Sequence, residues 1–107
     1  MKVKDGYKLV FREEFKGRAQ TMNAKHWGVP KRQNYMWARQ ISNSPSVYAI
    51  TKGKLICKAI PNTVNPNDTA EMLTSAFSTK DKFEFKYGKV EVRLRTSNVE
   101  GNFPAVW

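Results

Sequence analysis

The chain of 107 residues has the length of one small domain, and its 40% hydrophobic content, with three Trp, four Tyr and six Phe, excludes a disordered polymer. The formal net charge is +10. Proteins with such an excess of Lys and Arg often bind nucleic acid, anionic polysaccharide or membrane surfaces. The basic residues are nevertheless spread along the chain and form no basic tract. The apolar runs are too short to span a bilayer. We therefore expect a globular protein with a solvated basic surface.

The first forty residues predict little regular structure. Residues 7–11 favour a short strand, and the polar segment 12–23 favours a loop. Gly28 and Pro30 interrupt any regular element beside Trp27. Residues 34–41 fit either a strand or a packed loop.

A β-hairpin is the clearest local prediction. Residues 46–51 and 54–60 are rich in β-forming side chains and flank Lys52-Gly53, where glycine tolerates the positive φ of a tight turn. Pro61 ends the second strand, and the Asn- and Pro-rich residues 62–68 are predicted to form a loop.

The single cysteine, Cys57, lies in the second of these strands. Strand alternation puts it on the same face as Leu55 and Ala59, so we expect a buried structural thiol. One cysteine also excludes a disulfide or a cysteine-based zinc site within one chain.

Two further strands are predicted towards the end of the chain. Residues 73–79 favour one of them. After Gly88 the alternation is strict, with Val90, Val92 and Leu94 on one face and charged residues on the other. Short strands separated by turn residues predict an all-β fold, an antiparallel β-sandwich or jelly roll.

Few residues offer catalytic chemistry. The only histidine, His26, has no second histidine or cysteine with which to complete a metal site, so we expect a structural or exposed role. Glu13 and Glu14 are adjacent, and in an extended segment their side chains point to opposite sides, which prevents them from flanking one bond. We assign no catalytic residue and no metal ligand.

The aromatic residues are more suggestive of a binding site. Tyr35, Trp27, Trp37 and Trp107 amount to more ring surface than a small core requires. Flat apolar rings beside polar groups are the surface against which sugars stack.

Several segments follow one another in an informative order: FREEF at 11–15, KGKL at 52–55, LTSA at 73–76 and, most specific, YGKVEVR at 87–93 followed by GNFPAVW at 101–107. They resemble glycoside hydrolase family 16, which holds β-1,3- and β-1,3-1,4-glucanases, with agarases and carrageenases as relatives. The similarity covers essentially the whole chain and is weakest in the middle.

This resemblance implies a jelly roll of the concanavalin A-like type, with an open polysaccharide cleft on its concave sheet. Residues 1–107 would be the N-terminal portion of one such domain, incomplete in this chain. The family's catalytic motif, Glu-x-Asp and a second Glu, follows the segment that matches 101–107. We therefore expect a parent enzyme that hydrolyses β-glucan by a retaining, two-carboxylate mechanism, and a fragment without activity of its own.

The resemblance also implies where sugar binds. Trp107 matches a tryptophan near the cleft, and Asn34 and Arg39 fall where the family often supplies polar contacts to the non-reducing side. Phe77 stands where glucan-cleaving members often carry arginine, which leaves glucan and galactan both open as substrates. The Glu13-Glu14 pair replaces Asp-Glu and is expected to affect local structure.

The partner implied is a polysaccharide, with β-glucan as first choice and galactan as second, and neither nucleic acid nor a membrane. No cofactor is expected; the family admits a structural calcium, but no ligand motif for it is visible. We expect a secreted, periplasmic or cell-surface protein, supplied without its signal, and association with a second chain through strand exchange. The alternative is a small basic module that binds acidic polysaccharide or nucleic acid.

Overall fold

The computed structural model describes residues 3–16 and 21–107 and consists of short strands and loops. The strands are β1 (Val3–Lys4), β2 (Tyr7–Lys8), β3 (Tyr48–Thr51), β4 (Lys54–Cys57), β5 (Ala59–Pro61) and β6 (Met72–Thr74). The helical turns in these residues are two short 3-10 helices, η1 (Met36–Gln40) and η2 (Pro45–Val47). The described part of the chain is therefore all-β, in agreement with the predicted class.

The strands form three antiparallel pairs, β1–β2, β3–β4 and β5–β6, rather than one continuous sheet. The predicted hairpin is confirmed: Thr51 pairs with Lys54, and Lys52 and Gly53 both have positive φ, 52° and 71°. Paired positive φ values match the right-handed twist of the flanking strands. The second predicted strand divides at Lys58, whose N–H donates to Val47 O at 2.8 Å.

In the first part of the chain, two predictions differ from the structure, and a third can be compared with it only over the described residues. The predicted strand 7–11 ends at Lys8, because the residues that follow have no partner strand among the described residues. Of the two alternatives for residues 34–41, the strand is wrong, and the packed loop contains the short helix η1 with Ala38 buried. The predicted loop 12–23 has no strand or helix over 12–16 and 21–23, and residues 17–20 lie outside the described part.

The core is small. Its buried apolar side chains are Ala38, Ile41, Val47 and Leu73. Ile41 forms a parallel bridge with Thr74, and the next residue donates its N–H to Thr74 O at 2.9 Å, so η1 is attached to β6. The expectation of a buried Cys57 is wrong: the thiol, at the last residue of β4, is exposed, although Leu55 on the same face is half-buried.

A second cluster, of aromatic rings, connects the N-terminal segment to later parts of the chain. Phe11 lies 4.8 Å from His26 and 4.8 Å from Phe83 between ring centroids, and Phe15 stacks on Trp27 at 6.3 Å. Gly28 and Ser78 exchange two backbone hydrogen bonds of 2.8 Å beside this cluster. The N-terminal segment is therefore held by side chains rather than by a sheet.

The C-terminal part departs most from prediction. The strand expected over 73–79 extends only from Met72 to Thr74, and no strand forms over 89–95. Val90, Val92 and Leu94 are 63%, 49% and 56% exposed instead of buried, because the described residues provide no partner strand. The radius of gyration of 15.6 Å exceeds the roughly 13 Å of a compact domain of this length.

Within residues 3–16 and 21–107, no helix is long and apolar enough to cross a membrane.

Candidate functional site

The best candidate site is built on η1, which is attached to the core through buried side chains. Ala38 is fully buried and Ile41 nearly so, which anchors the helix on the core and on β6. The N–H of Gln33 donates to Ala38 O at 3.2 Å, so the preceding residues fold back on the helix. A rigid backbone of this kind holds exposed side chains in defined positions.

The exposed face of this segment carries an aromatic cluster of Tyr35, Trp37 and Trp107. The rings of Tyr35 and Trp37 meet edge to face at 5.8 Å, and those of Trp37 and Trp107 meet in the same way at 5.9 Å. Their residues are 52%, 45% and 96% exposed, respectively. Ring surface that contacts other rings and still faces solvent can stack against an apolar sugar face.

The sequence named Trp107, Asn34 and Arg39 as sugar-binding candidates, and the structure places them as follows. Trp107 packs on Trp37, which lies between Asn34 and Arg39 in the chain. Asn34 and Arg39 are exposed, and their side chains make no hydrogen bond within the described residues. Trp27, grouped with these aromatics in the sequence, belongs to the Phe11 cluster instead.

Tyr35 and Trp37 were recognised as aromatic candidates but not as parts of one site. The sequence feature that could have indicated a common site is local: residues 34–39 combine Asn, Tyr, Met, Trp and Arg with a single alanine. A 3-10 helix has three residues per turn, so only one side faces the core, and here Ala38 occupies it. Met36, Trp37 and Arg39 are therefore left on the solvent sides, whereas Tyr35 precedes the helix in an extended conformation.

An arginine clamp holds the loop next to this site, and sequence reasoning missed it. Arg32 Nη1 and Nη2 donate to the two carboxylate oxygens of Asp68 at 2.7 and 3.0 Å. Its Nε and Nη2 also donate to Ile41 O, at 2.9 and 2.7 Å. These hydrogen bonds lower the pKa of Asp68 and raise that of Arg32, so the pair stays charged.

The clamp borders an open cleft of about 480 Å³. The cleft is lined by the residues after η1, by the loop residues Asn65 and Asp68, and by Lys31 and Arg32. Asn62 stabilises the loop, since its side-chain N–H groups donate to three carbonyls, those of Asn65, Asp68 and Ala70. The cleft is therefore lined both by hydrogen-bonded polar groups and by the apolar side chains of Ile41, Val64 and Leu73.

Glu13 is a second carboxylate, besides Asp68, that contacts three hydrogen-bonding groups. Oε1 accepts from Trp27 Nε1 at 2.9 Å and contacts His26 Nδ1 at 3.1 Å, and Oε2 accepts from the Phe15 N–H at 3.2 Å. Burial would raise the pKa of Glu13, but these hydrogen bonds outweigh it and lower the pKa. The structural role expected for His26 is confirmed.

Two carboxylates, Glu14 and Asp68, form ion pairs with arginines. Glu14 contacts Arg12 at 2.8 Å, and the hydrogen bond from Arg12 lowers its pKa, as the clamp does for Asp68. A general acid for glycoside hydrolysis needs a raised pKa instead. The lowered pKa values of Glu14 and Asp68 are therefore opposite to what a general acid needs. Among residues 3–16 and 21–107, no three His, Cys, Asp or Glu side chains cluster as metal ligands would.

Comparison with known proteins shows similarity to two endoglycosidases. The keratan-sulfate endo-1,4-beta-galactosidase of Sphingobacterium multivorum is 28% identical over 101 residues, which cover 94% of this chain and 24% of that protein. The glucan endo-1,3-beta-glucosidase A1 of Niallia circulans is 26% identical over 123 residues, which cover 95% of this chain and 17% of that protein. The chain thus spans no more than about a quarter of these relatives.

No family model matches the chain, and no solved structure matches it significantly. Both relatives named above are endo-acting enzymes that cleave β-linkages in glycans, as their names state. What the comparisons establish for this chain is distant similarity to endoglycosidases.

Proposed function

We propose that residues 1–107 are the N-terminal portion of a jelly-roll domain in a retaining endo-β-glycanase of glycoside hydrolase family 16. The observation that carries the proposal is the exposed cluster of Tyr35, Trp37 and Trp107, which offers the stacking surface that a glycan needs. Similarity to an endo-β-galactosidase and an endo-β-glucosidase along almost the whole chain supports it. The substrate is a β-linked glucan of the β-1,3 or mixed-linkage type, with galactan as second choice.

In this mechanism the described residues bind and orient the glycan. The rings of Trp37 and Trp107 stack on the apolar faces of sugar units, and Asn34 and Arg39 hydrogen-bond the hydroxyl groups beside them. Cleavage requires two carboxylates about 5 to 5.5 Å apart, one a nucleophile and the other an acid and then a base. Those groups come from the part of the polypeptide that follows residue 107, so the chain alone binds without cleaving.

The proposed site of action is outside the cytosol, where the endoglycosidases that this chain resembles would meet structural polysaccharides. We place the complete protein among secreted, periplasmic or cell-surface enzymes. The proposed activity is abandoned if the complete polypeptide releases no reducing ends from laminarin, agarose or keratan sulfate. Recovery of that polypeptide only from the cytosol would contradict the localisation alone.

Replacing Trp107 by alanine is expected to weaken glycan binding by about tenfold or more, because the Trp107 indole is the most exposed ring of the cluster and offers the largest stacking surface. Affinity electrophoresis of the chain in gels containing laminarin, agarose or keratan sulfate measures this. The control is Phe103→Ala, since Phe103 is 87% exposed on the same segment but has no ring contact within the described residues. Equal loss of affinity in both variants would contradict a role for the cluster.

The exposed row of Val90, Val92 and Leu94 is expected to draw the isolated chain into association with a second copy. Backbone without a partner strand and exposed apolar side chains favour pairing with a strand of another copy. Light scattering after size exclusion should show a mass that rises with concentration. Val92→Ser should weaken this association by about tenfold, because each copy loses one buried valine.

The matched control for the association is Arg93→Ser, which places the same serine on the polar face. It should leave the concentration dependence of the mass nearly unchanged. A monomer at all concentrations, with cooperative unfolding, would show that strand exchange does not occur.

A further inference from the structure

We propose that Arg32 is a positioning residue of the candidate site. With Asp68 it closes the loop of residues 32–41 and thereby keeps the rings of Tyr35 and Trp37 in the arrangement that stacks on a glycan. Arg32 acts through this loop and does not touch the sugar. The inference rests on the proposed function and adds to it the residue on which the shape of the binding surface depends.

The two ends of this loop lie side by side. The Gln33 N–H donates to Ala38 O at 3.2 Å, and Arg32 Nε and Nη2 donate to Ile41 O at 2.9 and 2.7 Å. Loops of about 6 to 16 residues whose ends are close together form compact units packed by their own side chains. Arg32 therefore closes the base of the loop, and two aromatic residues of the site lie between the closed ends.

Arg32 contacts the loop at the end of η1. Ile41 directly follows this helix, and the last carbonyls of a helix have no donor within it. An arginine side chain near the C-terminus can donate to such carbonyls. The two hydrogen bonds to Ile41 O therefore fix the C-terminal end of η1, the helix that carries Trp37.

Asp68 in turn fixes the position of Arg32. Its two carboxylate oxygens accept from Arg32 Nη1 and Nη2 at 2.7 and 3.0 Å, and Oδ1 also accepts from the Ala70 N–H at 3.0 Å. Asp68 lies in the connection between β5 and β6, which the Asn62 N–H closes by donating to Glu71 O at 2.9 Å. The loop is thus attached through one guanidinium group to the β5–β6 hairpin.

The guanidinium group of Arg32 has little capacity left for a ligand. All three of its nitrogens donate hydrogen bonds to Ile41 or Asp68. A planar group with several donors in a fixed geometry can serve both partners at once. The arrangement therefore favours a connection that supports the binding surface over a direct contact with the sugar.

Removing the guanidinium group should loosen the loop without unfolding the chain. The attachments outside the loop do not involve Arg32: Gly28 exchanges two backbone hydrogen bonds with Ser78, and the Ser42 N–H donates to Thr74 O at 2.9 Å. A loop with an open base samples more arrangements of its rings, and only those that match the glycan can bind it. The apparent affinity then falls in proportion to the fraction of competent loops.

The first measurement is affinity electrophoresis in gels that contain laminarin, agarose or keratan sulfate. Arg32→Ala is expected to weaken the binding of whichever glycan the natural chain binds by about fivefold, which corresponds to about one competent loop in five. The control Arg12→Ala removes another arginine that is paired with a carboxylate, that of Glu14, and should change the affinity less than about twofold. Urea unfolding of both variants shows that the affinities are measured on folded chains.

Arg32→Lys separates geometry from charge. It keeps the positive charge, but an ammonium group lacks the planar, forked donors that serve Ile41 O and both oxygens of Asp68 together, so most of the affinity should still be lost. Asp68→Asn should also weaken binding. The double variant R32A/D68N should lose little more than Arg32→Ala, because the two residues act as one unit. Full affinity in Arg32→Lys, or additive losses in the double variant, would overturn the inference.

The second measurement needs no glycan. Hydrogen exchange of the natural chain and of Arg32→Ala, followed amide by amide by nuclear magnetic resonance, tests whether the loop opens. The amides of Gln33, Ala38 and Arg39 donate to carbonyls within the loop and should exchange about threefold faster or more in the variant. The amides that pair β3 with β4 should keep their rates. Unchanged rates in the loop would contradict its closure by Arg32.

These outcomes separate the inference from the proposed function. If Arg32→Ala binds as tightly as the natural chain while Trp37→Ala loses affinity, Arg32 has no positioning role and the glycan site stands. Equally accelerated exchange in the loop and in β3–β4 would mean that Arg32 only stabilises the whole fold, which also overturns the inference. If the natural chain binds none of the three glycans, the proposed function fails and the inference fails with it.

Discussion

Replacing Leu73 by alanine is expected to remove most or all of the cooperative stability of this chain. Leu73 is 1% exposed and is one of only four buried apolar side chains among the described residues. Large-to-small substitutions at such positions cost about 2 to 5 kcal/mol, which is comparable to the whole stability that a small core supplies. The midpoint of urea unfolding, followed by circular dichroism at low protein concentration, measures the loss.

The control is the same substitution at Leu94, which is 56% exposed. An exposed leucine contributes little, so Leu94→Ala should change the free energy of unfolding by about 0.5 kcal/mol or less. If the two variants were destabilised equally, Leu94 would have to be covered in the folded state, contrary to its observed exposure.

The second large effect is expected at Glu13. In Glu13→Ala the Trp27 and His26 side chains and the Phe15 N–H lose a shared acceptor, and the cost of unsatisfied, partly buried donors is about 1 to 3 kcal/mol. Glu14→Ala is the matched control, because that carboxylate is more exposed and, among residues 3–16 and 21–107, has Arg12 as its ion-pair partner. Urea unfolding at neutral pH should show a clearly lower midpoint for the first variant than for the second.

The pH dependence at Glu13 follows from its lowered pKa. Burial alone would raise that pKa, but the hydrogen bonds outweigh it, so folding favours the ionised form. The resulting stability is complete above the ordinary value of 4.5 and is lost as the pH falls through the lowered pKa of the folded state. The difference between the natural chain and Glu13→Ala should therefore shrink at about pH 3 relative to neutral pH. A constant difference would contradict an ionised Glu13.

Local chemistry explains which parts of the fold the sequence could predict. The hairpin of β3 and β4 is specified within a few residues, because Lys52 and Gly53 accept the positive φ that the turn requires. The row of Val90, Val92 and Leu94 has an equally clear pattern, yet it forms no strand. Alternation indicates only that one face would be buried, and pairing depends on a partner elsewhere. For the same reason, Cys57 has the pattern of a buried residue and is exposed.

The site was predictable in its residue types but not in its contacts. Trp107, Asn34 and Arg39 could be named from the family resemblance, and Tyr35 and Trp37 from their aromatic character. The edge-to-face contact between Trp37 and Trp107 joins residues far apart in the chain, as does the pair of Arg32 and Asp68. No local period encodes such contacts, and the five residues of η1 are too few to establish a helical one.

The separation of the tryptophans into two environments has a spectroscopic consequence. Trp27 is partly buried and its indole N–H is bound to a carboxylate, whereas Trp37 and Trp107 face solvent. A collisional quencher such as acrylamide reaches the last two much more readily than the first. A bound sugar would shield Trp37 and Trp107 without disturbing Trp27, and loss of the fold would expose Trp27. Intrinsic fluorescence in this chain therefore reports ligand occupancy and folding as two separable signals.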